Sequence, residues 1–265
     1  MSPGPRAFPD RPERIIDEIR IEGLAKRLGG QPVLRDVNLT VRTGEAVGIV
    51  GRSGCGKSVL LKHVIGLMWP DAGQVLINDT ALSSLGNEGL YKIRKCFGML
   101  FQSSALFDSM TVAENVGLGL LHHSRLSRNQ IREKVAACLE AVGLKGVEEK
   151  LPSELSGGMR KRVGLARAIA MDPEILLFDE PTTGLDPILA AIIDEVIAGL
   201  VETLQTTAIV VTHDMRTVNT ICHRVAFLHR GVIFAEGTPQ EMNESKDPVV
   251  AQFISGSAEG PIQPI

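Results

Sequence analysis

Gly51-Arg52-Ser53-Gly54-Cys55-Gly56-Lys57-Ser58 is the stretch that decides the fold. Directly before it, Ala46-Val47-Gly48-Ile49-Val50 is a continuous apolar run, the composition of a central parallel strand buried on both faces. Directly after it, Ser58 to Leu67 has helical composition. A glycine-rich loop leading from such a strand into a helix is the setting that the GxxxxGK(S/T) pattern requires. From Gly51 through Arg52, Ser53, Gly54, Cys55 and Gly56, backbone N–H groups can curl around anionic oxygens, and the helix N-terminus adds its positive dipole end. Lys57 then reaches the β- and γ-phosphates of a nucleoside triphosphate, and the Ser58 hydroxyl ligates Mg2+.

Working outward, Ile19 to Val50 reads as strands. Val37, Leu39 and Val41 alternate with Asn38, Thr40 and Arg42, a period of two that puts one face on a core. From about Gln102 to Asp172 the pattern changes to helices. Within it Asn129 to Val142 is amphipathic, with Ile131, Val135, Leu139 and Val142 at three- and four-residue steps and Gly143 as its end. Strands return at Ile175–Asp179, Ala208–Thr212, Arg224–Leu228 and Val232–Ala235. A helix over Ile188–Leu204 joins the first two, which implies βαβ units and a mostly parallel sheet.

The 265 residues suit one large domain, or one domain with a subdomain. A 44% hydrophobic fraction is ample for a core, and a formal net charge of −3 argues against a dedicated nucleic-acid binder. Cys55, Cys96, Cys138 and Cys222 lack CxxC spacing and read as reduced thiols of a cytosolic protein, not a disulfide or zinc framework. No apolar run approaches the length of a membrane span. Met1 to Arg14 carries Pro3, Pro5, Pro9 and Pro12 without the apolar core of a signal peptide, so residues 1–18 read as a disordered lead-in. The tail 256–265, with Pro261 and Pro264, is expected to be extended or partner-bound.

Two further segments carry chemistry. The apolar strand Ile175-Leu176-Leu177-Phe178 ends at Asp179, which places that carboxylate at the carboxyl edge of the sheet, where open α/β folds bind ligands. Asp179 is expected to hold Mg2+ through water, and Glu180 to orient or deprotonate an attacking water. Leu155-Ser156-Gly157-Gly158-Met159 opens a helix with small residues, exposing N–H groups and a hydroxyl to a phosphate. The following Arg160-Lys161-Arg162 reads as a solvated helix face, with no aromatics nearby to make a nucleic-acid patch.

In this order and spacing the motifs resemble those of the nucleotide-binding subunit of an ABC transporter, over residues 19 to 255. The resemblance implies an α/β fold: a P-loop NTPase with a RecA-like core, an antiparallel β subdomain and an inserted helical subdomain at about 103–172. Gln102 matches the family's Q-loop glutamine, which senses Mg2+ and water; Asp186, in Thr183-Gly184-Leu185-Asp186, matches the D-loop at the dimer interface; His213, after Ile209-Val210-Val211-Thr212, matches the switch histidine at the γ-phosphate. The implied catalytic set is thus Glu180, His213, Gln102 and Lys57, with Ser58, Gln102 and Asp179 around the metal. Two copies would close head to tail, each ATP lying between one copy's Lys57 loop and the other's Ser156-Gly157-Gly158. Closure would pull on an integral-membrane permease whose cytoplasmic helices meet helices around Gln102 to Val116, at the cytoplasmic face of the inner membrane.

Two departures from the family pattern stand out. Leu28, in Lys26-Arg27-Leu28-Gly29-Gly30, occupies the place of the aromatic that stacks on adenine, and Met159 replaces the commoner glutamine. Leu155–Met159, Phe101–Val112 and Gln252–Pro261 are similar to the MCE-associated, Mla-type lipid transporter ATPases. That similarity implies a phospholipid or other hydrophobic cargo, an MCE-domain protein and, in some systems, a STAS-domain protein. The alternatives are the ATPase of another ABC importer or exporter, or a soluble ABC ATPase of DNA repair or translation. The soluble class usually carries two cassettes, coiled-coil arms or zinc modules, which this sequence lacks. A third alternative, an idle regulatory cassette, is opposed by the presence of Lys57, Asp179, Glu180 and His213.

Overall fold

The computed structural model describes residues 15–263. In chain order its elements are β1 (Glu18–Leu28), β2 (Gln31–Arg42), β3 (Ala46–Val50), α1 (Lys57–Val64), β4 (Ala72–Ile77), β5 (Thr80–Ala81), α2 (Asn87–Lys95) and β6 (Phe97–Leu100), followed by α3 (Val112–His123), α4 (Arg128–Ala141), α5 (Gly157–Ile169), β7 (Ile175–Asp179) and α6 (Pro187–Leu204), then β8 (Thr207–Thr212), α7 (Met215–Ile221), β9 (Arg224–His229), β10 (Val232–Gly237), α8 (Pro239–Asn243) and α9 (Pro248–Ser255). They fall into two units, one made of Asp17–Arg94 with Ala208–Ile265, the other of Lys95–Thr207 with the residues up to Ile16.

In the first unit the strands run β5-β4-β1-β2-β10-β9-β3-β8. The period of two in β2 is realised: Leu34, Val37, Leu39 and Val41 are buried while Arg35, Asp36, Asn38 and Arg42 are exposed. Burial of each such leucine is worth roughly 1.5–3 kcal/mol. β2 pairs antiparallel with β1, which pairs antiparallel with β4. The unbroken apolar runs do the opposite. β3 and β8 are buried at every position, and β3 lies parallel to both β8 and β9. Arg224, at the start of β9, fastens these parts together, with Nε 2.6 Å from Glu45 Oε1 and Nη1 2.5 Å from Glu236 Oε2.

The tail is folded in its described part. After α9 the chain turns at Gly256 in the left-handed region and bends back around the buried Gln252. The Gln252 side-chain amide donates to the Ser257 and Ile262 carbonyls and accepts from Ile262 N at 2.6 Å. An extended course would break these bonds. The bend brings the Gln263 carbonyl 2.7 Å from Arg52 Nη1.

The second unit pairs β6 in parallel with β7 and gathers α3 to α6 around them. Capping boxes begin α3, from Thr111 to Glu114, and α4, from Ser127 to Gln130, each satisfying two backbone donors that a helix end leaves bare. α4 buries Val135, Cys138 and Leu139, with Val142 just beyond. The helical pattern expected from Gln102 starts later: residues 101–111 form a loop, and helix begins at Val112. α5 and β6 touch through backbone. A Cβ on Gly98 would lie 2.1 Å from the Ala168 carbonyl oxygen, and one on Gly164 would lie 2.7 Å from Leu100 Cδ1. The N-terminal lead-in ends earlier than residue 18. Ile16 is buried, and the N–H groups of Ile15 and Ile16 donate to Glu174 Oε2 at 2.9 and 2.8 Å. Residues 1–14 lie outside the described ones. Among the described residues no helix is long and apolar enough to cross a membrane.

Candidate functional site

The first unit carries the glycine loop between β3 and α1. Gly56 caps α1 with φ 107°, a conformation that a side chain would strain, and a Cβ there would sit 2.9 Å from Leu34 Cδ2 and from Val33 Cγ1. A Cβ on Gly51 would lie 2.5 Å from the Leu228 carbonyl oxygen. The loop must therefore be glycine at both ends, where it passes β9 and β2, while Ser53 and Gly54 stand exposed at its crest. Lys57 is buried, and its Nζ donates to the Gly51 and Arg52 carbonyls at 2.8 and 3.1 Å. Ser58 and Cys55 are half-buried. The first turn of α1 holds no acidic residue, so no side chain of that turn offsets the positive end of its dipole.

Val50 pairs with Thr212 in the parallel β3–β8 register. The glycine loop and His213 therefore leave the same edge of the sheet. His213 is exposed, and Asp214 beside it caps α7 by accepting from Arg216 N at 2.9 Å. The Arg216 guanidinium holds the Asp214 carboxyl below its usual range.

In the second unit Leu100 pairs with Phe178 in the parallel β6–β7 register, so Gln102 and the pair Asp179-Glu180 also leave one sheet edge together. Asp179 and Glu180 are each 9% exposed, whereas Gln102 is exposed. Glu180 adopts φ +50°, a left-handed conformation costing roughly 1–2 kcal/mol for a residue with a side chain. Local hydrogen bonds hold it there: Thr183 Oγ1 donates to Glu180 Oε2 at 3.1 Å, and Thr183 N to the Glu180 carbonyl at 3.3 Å.

Ser156 is exposed and caps α5, its hydroxyl accepting from Met159 N at 3.3 Å. The small residues behind it serve packing as well as exposure, because Gly157 and Gly158 face Leu185 and Leu189. Asp186 caps α6, its Oδ1 accepting from Ile188 N and Leu189 N, both at 3.0 Å. The structure thus groups Gly51–Ser58 with His213 in one unit. In the other it groups Gln102 with Asp179 and Glu180, and sets Ser156–Gly158 beside the segment that contains Asp186.

One reading of the sequence is corrected. Lys161, expected on a solvated face with Arg160 and Arg162, is 5% exposed, and its Nζ donates to the Gln102 carbonyl at 2.5 Å and to the Glu180 carbonyl at 3.4 Å. Burial lowers its pKa, against the opposing pull of Asp179 and Glu180. A signal for this was present: Gly158, Lys161, Leu165 and Ala168 recur at three- and four-residue steps, and all are buried. Arg167, further along α5, donates to the Ser104 and Ala105 carbonyls at 2.6 and 2.7 Å. Ser104 and Ala105 are themselves left-handed residues, at φ 62° and 45°.

Comparison with known proteins bears on this arrangement. Residues 34–183 match the family model described as "ABC transporter". The chain belongs to the ABC transporter family. It is 41% identical to the intermembrane phospholipid transport system ATP-binding protein MlaF of Haemophilus influenzae, over 92% of this chain and 93% of that protein. It is 43% identical to protein TRIGALACTOSYLDIACYLGLYCEROL 3, chloroplastic, of Arabidopsis thaliana, over 92% of this chain and 75% of that one. Its backbone superposes with TM-score 0.76, at 33% identity, on the ATP-binding cassette MJ0796, solved as a dimer in a post-hydrolysis state with ADP and Pi; the match covers 83% of this chain and 98% of that one. The chain is accordingly an ATP-hydrolysing ABC cassette with the mixed α/β fold of that family.

The donor chemistry of this cassette fits Mg2+. The Ser58 hydroxyl, the Asp179 carboxylate and the Gln102 amide oxygen are all hard oxygen donors. Among the described residues no cluster of three His, Cys, Asp or Glu could hold a metal alone. Leu28 ends β1 at 40% exposure, leaving an apolar but non-aromatic side chain at the surface.

Proposed function

We propose that this cassette hydrolyses MgATP as a head-to-tail pair and thereby energises the movement of phospholipid or another hydrophobic molecule by a membrane transporter. The observation that carries the ATPase chemistry is the shared sheet edge from which the Lys57 loop and His213 both emerge. In this reading Lys57 and the loop N–H groups hold the phosphates, Ser58 and Asp179 hold the metal with Gln102 sensing it, and His213 contacts the γ-phosphate. Glu180 takes the proton of the attacking water. The assignment of all of these to one nucleotide rests on the family resemblance, as does the role of the partner copy's signature segment, Ser156-Gly157-Gly158. The exposed Ser156 at the start of α5, a 13-residue helix, supports that role. Asp186 lies at the dimer interface in the same reading.

The cargo assignment rests on the phospholipid transport ATPase to which the chain is similar along nearly its whole length. It carries with it a permease, an MCE-domain protein, in some systems a STAS-domain protein, and a peripheral position on the cytoplasmic face of the membrane. The test is purification of the tagged chain from membranes in mild detergent, with proteins and lipids identified by mass spectrometry. A permease, an MCE-domain protein and co-purifying phospholipid are expected. A permease with a soluble binding protein instead would overturn the cargo and leave the ATPase assignment standing. Recovery without any membrane protein would favour a soluble ABC ATPase.

A further inference from the structure

A buried cation on α5 holds the backbone of both the glutamine loop and the catalytic glutamate. The Lys161 side chain reaches out of α5, and its ammonium meets the Gln102 carbonyl and the Glu180 carbonyl at 2.5 and 3.4 Å. Neither acceptor is on α5 itself, so one side chain spans three segments of the second unit. Glu180 sits in a left-handed conformation that its own side chain disfavours, and Lys161 and Thr183 N are the donors found at its carbonyl. An unpaired ammonium at this depth would be strongly disfavoured, so the charge is retained only with its acceptors in place.

We propose that Lys161 is a positioning residue for ATP hydrolysis. By bridging the Gln102 and Glu180 carbonyls it fixes the backbone of Glu180, and so the direction of its carboxylate, relative to the loop that carries Gln102. This rests on the reading of Glu180 as the group that activates water. In this role Lys161 acts through the two backbone carbonyls it meets. Its contribution is to convert the position of the Gln102 loop into the orientation of the base. A helix pinned in this way also makes the signature end of α5 and the catalytic glutamate parts of one assembly.

The experiment compares the full-length wild type with Lys161→Met, Lys161→Arg, Glu180→Gln and the Lys161→Met/Glu180→Gln double variant, measuring kcat, KM, ATP affinity and thermal unfolding. Lys161→Met is expected to lower kcat by about 10- to 100-fold, the worth of one hydrogen bond from a charged group, with ATP affinity changed by less than about twofold. Lys161→Arg, which keeps the charge and the donors, is expected to recover most of that loss. In the Glu180→Gln background Lys161→Met should cost nothing further, because there is no longer a base to orient. Wild-type kcat in Lys161→Met would overturn the proposal. So would a fall in kcat and affinity together that persists unchanged in the Glu180→Gln background, which would mark Lys161 as merely structural. If Lys161→Met does not fold, Lys161→Gln takes its place, with a kcat loss at preserved ATP affinity expected and wild-type kcat overturning the proposal. Wild-type turnover in Glu180→Gln alone would remove the base assignment itself, an outcome read separately from every Lys161 variant.

Discussion

The two functional loops of this chain are built on opposite plans. The Gly51–Ser58 loop is supported by its own backbone: glycines where it grazes β2 and β9, and a lysine folded back onto the carbonyls of the same segment. The Gln102–Ala105 segment contains no glycine and turns through left-handed serine and alanine residues instead. It is propped from outside, by Lys161 at the Gln102 carbonyl and by Arg167 at the Ser104 and Ala105 carbonyls. A loop held largely by its own backbone leans less on its neighbours. A propped loop has the shape its props impose, so the helix that carries the props shares in its function.

Three substitutions probe that contrast. The largest effect is expected from Lys57→Ala. It removes a cation that the proposed function places on two phosphates, and ATP affinity should fall about 100-fold or more, equivalent to about 3 kcal/mol, in a direct binding titration. Tight ATP binding by the variant would mean that the loop does not use its lysine. Next is Arg167→Met, which leaves the Ser104 and Ala105 carbonyls without their guanidinium. About 2 kcal/mol of stability should be lost in urea unfolding, while ATP affinity stays near wild type. An unchanged midpoint would show that the left-handed turn supports itself, and the distinction between the two loops would disappear. The smallest effect is expected from Leu28→Tyr. If adenine lies over the end of β1, a ring there should tighten ATP binding by about 0.5–1.5 kcal/mol, whereas an unchanged Kd would place the base elsewhere.

The self-supported region was the legible one. A strand buried on both faces, a glycine loop and a helix announce themselves in consecutive residues, and β3 was found at Ala46–Val50 as its apolar run implied. The helix expected at Ile188–Leu204 proved to be Pro187–Leu204, and Asp186, expected among the nucleotide-binding residues at the dimer interface, turned out to cap it. Asp179 and Glu180 could be placed because a fully apolar strand ends at them; a carboxylate pair after a strand is bland alone and becomes informative only beside the glycine loop. The propped region was opaque because its supports are distant in sequence: Lys161 is 59 residues from Gln102, and Arg167 is 63 from Ser104. Three adjacent cations looked like solvated surface until the position of Lys161 on the buried stripe of α5 was taken into account. The folded tail was hidden for a similar reason, since it depends on one amide, Gln252, reading main-chain groups five to ten residues ahead.

The contact between α5 and β6 also has a mechanical side. Gly98 and Gly164 remove the layer of side chains that ordinarily separates a helix from a strand, leaving backbone against backbone at one point and a leucine methyl against bare helix at the other. Close-packed interiors pass on displacement instead of absorbing it, and this joint lacks even the side-chain cushion that allows some slip. The 13 residues of α5 make a rod about 20 Å long. With its side seated on β6 and its tip at Ser156, that rod acts as a stiff lever. On this geometry a displacement at the strand end, where the Gln102 loop begins, would be carried along α5 toward Ser156.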